Sequence, residues 1–347
     1  MVTLVAVLSL VVAAFVVLAW PAFQPEEEDT SAGAPAASTS LSDLVPAPPP
    51  QGAPPSAEER RTRRVLTNGC SYNARGIPRC GVLLGAAYGG NTDPTEWERS
   101  LGHPLGVRRT YWDAADVDRA ASTAQQDLRS QRLPWMSFKL PYSWEQMRDG
   151  LGDSWARGLA DEMAKVDGPV WLAFHHEPEG DGDVQAWKAM QARLAPIVRA
   201  AAPNVAYTII LTGWNQLYGD SQYSFESIWP VQTKIDIAGF DVYDKYGVER
   251  RGGRANSATD FEVDYFSVFK DFAEEYDVAW GLAETGHTDR SADVRDDWVL
   301  RTYLSVLKYG GVAFVYFNST LNSIAPWRLT GAKEEQFARA LQMTPTL

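Results

Sequence analysis

The chain reads Val-Trp-Leu-Ala-Phe-His-His-Glu-Pro at residues 170–178 and Val-Ala-Trp-Gly-Leu-Ala-Glu-Thr-Gly at residues 278–286. Both apolar runs are short, which is typical of strands buried on both faces of a parallel sheet. Each run leads into a glutamate, Glu177 in the first and Glu284 in the second. A carboxylate at the carboxyl end of a parallel strand occupies the position where a (β/α)8 barrel has its active site.

Similar strand-like runs recur along the chain, and amphipathic helical patterns such as Leu159, Met163 and Val166 lie between them. Strand and helix alternating eight times predict a closed parallel barrel, the TIM barrel. The alternative, a doubly wound open sheet, lacks the glycine-rich phosphate loop expected after its first strand. The eight predicted strands are Gly81–Ala86, Gly106–Thr110, Trp135–Phe138, Pro169–Phe174, Val205–Leu211, Ile235–Phe240, Val278–Ala283 and Val312–Phe317.

The N-terminal region differs in composition from the rest of the chain. Residues 2–20 are almost purely apolar and are followed by acidic residues at 26–29, so they fit either a signal peptide or a membrane anchor. We therefore predict a signal peptide or anchor at residues 1–22, a linker rich in Pro, Ala and Ser at 23–64, and one barrel domain at 65–347. The predicted location is extracellular, either secreted or tethered to the outer face of the cell membrane.

Charge and cysteine content narrow the class of partner. The net charge is -12 and the sequence pI is about 4.9, which argues against nucleic acid as a partner. The two cysteines, Cys70 and Cys80, predict a disulfide in an exported protein. No Cys/His spacing is typical of a metal site, so we expect neither a metal nor another cofactor. We expect a monomer.

Polar and aromatic side chains collect near the ends of the predicted strands. Such a mixture suits sugars, because aromatic rings stack on C–H faces while carboxylates, amides and imidazoles bind hydroxyls. Trp214 fits either a sugar platform or core packing, and Tyr243 either a hydrogen bond to the nucleophile or packing at the rim. We predict His175 to be structural, and Glu179 is a rival for the role of acid. The candidate substrate-binding residues are Tyr88, His176, Trp214, Asp241, Tyr243 and Asn318.

Two glutamates at one end of a barrel supply what retaining glycoside hydrolysis needs, a proton donor and a nucleophile. We therefore expect the carboxyl groups of Glu177 and Glu284 to lie about 5–5.5 Å apart. One alternative is a glycan-binding barrel without turnover, although a pure binder needs no proton donor. Another is a metal-dependent hydrolase, which the four histidines do not favour because their spacing fits no ligand set.

These motifs resemble glycoside hydrolase family 26, a clan A retaining family whose best-known members are β-mannanases. The resemblance covers residues 81–331 and rests on His176-Glu177, Asp241-Val242-Tyr243 and Ala283-Glu284-Thr285-Gly286. It implies that Glu177 is the acid/base, Glu284 the nucleophile, Tyr243 a contact of the nucleophile and His176 a contact of the substrate. No cofactor is implied, and the partner is a polysaccharide.

The sequence departs from the family around the sugar site. Many relatives read His-Glu-Met-Asn-Gly followed by tryptophans, whereas this chain has Pro178-Glu179-Gly180 after Glu177. A strand-eight position that is often Trp is Phe317 or Asn318 here. The resemblance implies β-mannan as the substrate, and these departures leave β-1,3-xylan, mixed-linkage β-glucan or an unusual envelope glycan open.

Overall fold

The computed structural model describes residues 56–250, 253–255, 257–321, 325 and 327–347. Eight parallel strands close into a barrel in the order β1-β10-β9-β6-β5-β4-β3-β2. Two further strands, β7 and β8, form a separate two-stranded antiparallel sheet. The predicted TIM barrel is therefore confirmed. The strands are β1 (Leu83–Tyr88), β2 (Val107–Trp112), β3 (Leu133–Phe138), β4 (Val170–Phe174), β5 (Val205–Leu211), β6 (Ile237–Asp244), β7 (Glu249–Arg250), β8 (Gly253–Arg254), β9 (Ala279–His287) and β10 (Ala313–Asn318).

Helices connect the strands and cover the outside of the barrel. The longest helix of the described residues, Val184–Ala201, continues through Pro196. The helix Trp144–Arg148 begins at a capping box between Ser143 and Gln146. The helices are α1 (Ala57–Arg63), α2 (Thr95–Leu101), α3 (Val117–Arg129), α4 (Trp144–Arg148), α5 (Asp153–Ala164), α6 (Val184–Ala201), α7 (Trp214–Tyr218), α8 (Phe225–Ile228), α9 (Ser267–Glu275), α10 (Asp289–Val294), α11 (Trp298–Lys308) and α12 (Ala332–Leu341), with short 3-10 and π turns at Ser221–Tyr223 and Glu262–Phe266.

Alternation along the strands divides most of the buried apolar residues into two large clusters. A third, small cluster contains Ala87, Phe317 and Trp327. Trp135 and Trp171 belong to an inner cluster and meet edge to face at 5.1 Å. Their neighbours Met136 and Leu172 pack in the larger outer cluster with the helices. Gly85 lets β1 and β2 approach, because a Cβ there would lie 1.6 Å from the carbonyl oxygen of Val107. The interior of the barrel is thus a packed apolar core and not an open pore.

Residues 56–64, which we predicted as the end of the linker, include a helix. Ser56 and Glu59 form a capping box that starts α1. The helix contacts the barrel, because Arg60 donates to Gln131 and Arg61 pairs with Asp167. The range 23–64 that we predicted as linker therefore contains α1 near its C-terminal end. Residues 1–55, which include the predicted signal peptide or anchor, lie outside the described residues.

The predicted disulfide between Cys70 and Cys80 is present. Two antiparallel bridges, Val65 with Ser71 and Tyr72 with Pro78, order the same segment before β1. In the described part of the chain, no helix is long and apolar enough to cross a membrane.

Replacing both Cys70 and Cys80 with serine is expected to lower the free energy of unfolding by about 2–3 kcal/mol, because the bridge closes only a short loop in the unfolded chain. Urea unfolding of the oxidised protein and of the double variant measures the difference. Reducing agent should lower the stability of the wild type and leave the double variant unchanged. Two titratable thiols in unreduced, unfolded wild type would contradict the bridge.

Candidate active site

Glu284 lies within β9, where an irregularity in strand pairing directs its side chain. β6 and β9 pair Phe240 with Leu282 and then Asp241 with Glu284, so Ala283 is an extra residue on β9. Ala283 packs in the inner core, and the bulge allows the next residue also to face the barrel mouth. The sequence placed Glu284 just after a strand that ends at Ala283. The structure extends that strand to His287.

Two tyrosine hydroxyls hold the carboxylate of Glu284. Tyr111 on β2 donates to Oε1 at 2.5 Å, and Tyr243 on β6 donates to Oε2 at 2.7 Å. Glu284 itself is buried. Because an ionised carboxylate only accepts hydrogen bonds, two hydroxyl donors suit a charged Glu284 that is fixed in orientation.

Glu177 follows β4 in an unusual backbone conformation. His175 and Glu177 have φ values of 47° and 50°, in the left-handed region. Their amides remain bonded to neighbouring strands, His175 to the carbonyl of Phe138 at 2.9 Å and Glu177 to that of Ile210 at 3.0 Å. A left-handed non-glycine residue costs roughly 1–2 kcal/mol, and such strain is concentrated at functional sites. These hydrogen bonds to the strands on either side therefore fix the backbone of Glu177 at the barrel mouth.

The environment of Glu177 favours its protonated form. Burial of the carboxyl group raises its pKa to about 8, and the charges of Glu284 and then Glu179 act in the same direction. Arg109 and Lys245 oppose this increase but do not cancel it. The two glutamates are thus close enough to interact electrostatically, and their surroundings favour opposite charge states.

The two histidines before Glu177 have different surroundings. His175 packs edge to face on Trp144 at 4.9 Å, and its Nε2 lies 3.0 Å from Asp181. His176 instead faces the ring of Tyr111 at 5.6 Å. Burial, with a smaller contribution from the Arg109 charge, lowers the pKa of His176 well below its usual range. A neutral imidazole has one nitrogen that donates and one that accepts a hydrogen bond, so His176, beside Tyr111, can do either toward a polar group.

Glu179, the alternative candidate for the acid, forms hydrogen bonds with other residues of the fold. Its Oε1 accepts hydrogen bonds from the backbone of Thr212 at 3.1 Å and from Nε2 of Gln216 at 2.5 Å. Burial raises its pKa. Glu179 therefore supports the segment after β5 and adds negative charge near Glu177.

Three further residues that we predicted to bind substrate, Tyr88, Trp214 and Asn318, also contact other residues of the fold. Tyr88, at the end of β1, stacks on Trp97 at 4.7 Å. Trp214 begins α7 and is half-buried, with Tyr218 at 6.3 Å. Asn318, at the end of β10, is buried and accepts a hydrogen bond from the backbone of Leu329 at 3.0 Å.

The sequence analysis did not identify two polar residues of β2, Arg109 and Tyr111, as members of the site. Arg109 is buried and its guanidinium lies 4.8 Å from the ring centre of Tyr111. The predicted strand stopped at Thr110, which hid the fact that residues 109 and 111 share a face. Extending the alternation from Val107 would have revealed both. Among the described residues, no group of three or more His, Cys, Asp or Glu side chains is placed to hold a metal ion.

Several solved structures resemble this chain. A GH26 β-mannanase from Bacteroides ovatus, BoMan26A, is 16% identical with a TM-score of 0.54, covering 76% of this chain and 88% of that one. Thermotoga maritima Cel5A, solved with mannotriose, is 13% identical with a TM-score of 0.56, covering 75% and 97%. A family 39 glycoside hydrolase from Bacteroides cellulosilyticus is 14% identical with a TM-score of 0.55, covering 77% and 65%. No family model and no curated protein matches this sequence. At these identities the likeness shows a shared barrel fold.

Proposed function

We propose that this protein is a retaining glycoside hydrolase that cleaves a β-linked polysaccharide by double displacement. The observation that carries the proposal is the contrast between two carboxyl groups at one barrel mouth. Glu284 accepts two tyrosine hydroxyls, whereas burial and neighbouring negative charge raise the pKa of Glu177 to about 8. Carboxyl groups with opposite charge states provide the nucleophile and the acid of this reaction.

In the first step Glu284 attacks the anomeric carbon while Glu177 transfers its proton to the leaving glycosidic oxygen. This gives a glycosyl ester on Glu284 and an ionised Glu177. In the second step Glu177 takes a proton from water, whose oxygen attacks the anomeric carbon and releases Glu284. Both residues return to their starting states, and the product keeps the original anomeric configuration.

β-Mannan is the substrate we propose first. It is supported by the family 26 resemblance and by neighbours described as a β-mannanase and as a mannotriose complex. Another neighbour is described as an endoglucanase, so mixed-linkage β-glucan and β-1,3-xylan belong in the same test. In this proposal His176, Trp214, Asp241, Tyr88 and Asn318 contact the glycan.

We also propose that the enzyme acts outside the cytoplasm as a monomer, released or tethered through residues 2–20. The bridge between Cys70 and Cys80 supports an oxidising compartment. The barrel domain from residue 65 would then carry the activity at the end of the linker.

The purified protein should release reducing sugar from at least one member of a panel of β-mannan, galactomannan, β-1,3-xylan, mixed-linkage β-glucan and cellulose. Proton NMR of the first product formed should show retention of anomeric configuration. Glu284→Gln is the matched inactive control, because it preserves side-chain size. Glycan binding without hydrolysis would favour the glycan-binding barrel instead, and an inverted first product would contradict the retaining mechanism.

A further inference from the structure

Asp241 is a buried carboxyl group to which no described residue donates a hydrogen bond. It lies on β6 at the barrel mouth, 3% exposed, and is the pairing partner of Glu284 on β9. Neither of its carboxyl oxygens has a hydrogen-bond partner among the described residues. A buried carboxylate without a hydrogen bond or a paired cation is strongly unfavourable.

The neighbouring carboxyl group makes ionisation of Asp241 more costly still. Two carboxyl groups side by side on adjacent strands cannot both ionise readily, so one of them retains a proton. Glu284 receives hydroxyl hydrogen bonds from Tyr111 and Tyr243, whereas Asp241 receives none. The hydrogen bonds therefore assign the negative charge to Glu284 and the proton to Asp241.

The charged groups around Asp241 agree with this assignment. Burial and then the negative charge of Glu284 raise the pKa of Asp241 well above its usual range, and Glu177 and Glu179 act in the same direction whenever they are ionised. Arg109 on β2 is the cation that opposes them. Its Nη1 donates to Ser137 at 2.7 Å. Within the described chain, its Nε and Nη2 and both carboxyl oxygens of Asp241 are buried without a hydrogen-bond partner.

We propose that Asp241 functions as a neutral carboxylic acid that donates its O–H to a hydroxyl of the sugar attacked by Glu284. This inference rests on the proposed function, because it assigns Asp241 to the site of that reaction. The proton stays on Asp241 throughout, so no bond is made or broken there. The substrate supplies the acceptor that the protein does not, and the neutral acid avoids placing a second negative charge beside the nucleophile.

The test compares Asp241→Asn with Asp241→Ala. Asparagine has nearly the same shape, is neutral and keeps a donor, whereas alanine removes the buried donor. The kcat/KM of Asp241→Asn should therefore exceed that of Asp241→Ala by roughly tenfold to a hundredfold. If Asp241→Asn is as impaired as Asp241→Ala, the carboxylate form is required and the proposal is wrong.

Unfolding in urea at pH 7 supplies a control that needs no substrate. Asp236 is also buried, but it pairs with Arg199 and Arg75. Asp236→Asn should therefore destabilise the fold clearly, because it leaves cations without their partner, whereas Asp241→Asn should not lower stability. Equal destabilisation by the two variants would overturn a neutral Asp241.

Infrared difference spectra distinguish failure of this inference from failure of the proposed function. In a Glu177→Gln background at pH 7, Asp241→Asn should remove one protonated-carboxyl stretching band. Removal of a carboxylate band instead would overturn the inference even if the enzyme hydrolyses glycans. An inactive wild type that shows the protonated band would refute the proposed function and leave the protonation state of Asp241 established.

Discussion

Glu284→Ala is expected to abolish turnover on every substrate, including those with good leaving groups. Without the carboxylate held by Tyr111 and Tyr243, no glycosyl ester can form. The loss in kcat should be on the order of 10⁴-fold or more, as for removal of other covalent nucleophiles. Initial rates on an aryl glycoside and on the active polysaccharide measure it, with Glu145→Ala, an exposed site on α4, as a control that should remain fully active.

Azide provides the decisive outcome for this variant. A small anion can occupy the space left by the side chain and attack the anomeric carbon directly, which gives a glycosyl azide of inverted configuration. Inversion with Glu284→Ala therefore supports Glu284 as the nucleophile. Turnover of Glu284→Ala that approaches wild type without azide would show that another group attacks, and the assignment would be wrong.

The barrel could be predicted because most of its strands are buried on both faces and so appear as short apolar runs, although β2 contains Arg108 and Arg109. All eight predicted runs overlap strands of the barrel, including the one that ends at Phe174. Their boundaries were less accurate, because polar residues that face the barrel mouth still belong to strands. Glu284 and Tyr243 lie inside β9 and β6 for this reason.

Details of the site depend on backbone features that the sequence does not display. The bulge at Ala283 arises from pairing between two strands distant in sequence. The left-handed backbone at Glu177 is unusual for any residue but glycine. Tyr111 becomes recognisable only when β2 continues beyond Thr110. The capping box at Ser56, by contrast, is visible in the sequence and would have predicted the helix that follows it.

Glu177→Ala should affect turnover in a way that depends on the leaving group. On polysaccharide, loss of the general acid should lower kcat/KM by roughly 10²–10⁴-fold. An aryl glycoside with a good leaving group needs little protonation, so its first step should be much less impaired. The second step then becomes slow because no base activates water, and azide should accelerate it with a product of retained configuration.

The pH profile supplies an independent check on Glu177. The acid must be protonated in the free enzyme, and burial together with the Glu284 charge raises its pKa to about 8. The kcat/KM of the wild type on polysaccharide should therefore be maintained up to neutral pH and fall as pH rises through about 8. Glu177→Ala, assayed on an aryl glycoside, should lack this decline.

Glu179→Gln separates the two candidate acids. Glu179 accepts hydrogen bonds from Thr212 and Gln216, and glutamine keeps an acceptor there, so activity and the alkaline decline should persist. The decline should move to lower pH, because the charge of Glu179 contributes to the raised pKa of Glu177. If Glu179→Gln instead removes the decline, Glu179 is the acid.

If azide rescues Glu177→Ala with an inverted product, Glu177 is the nucleophile and the roles of Glu177 and Glu284 are exchanged.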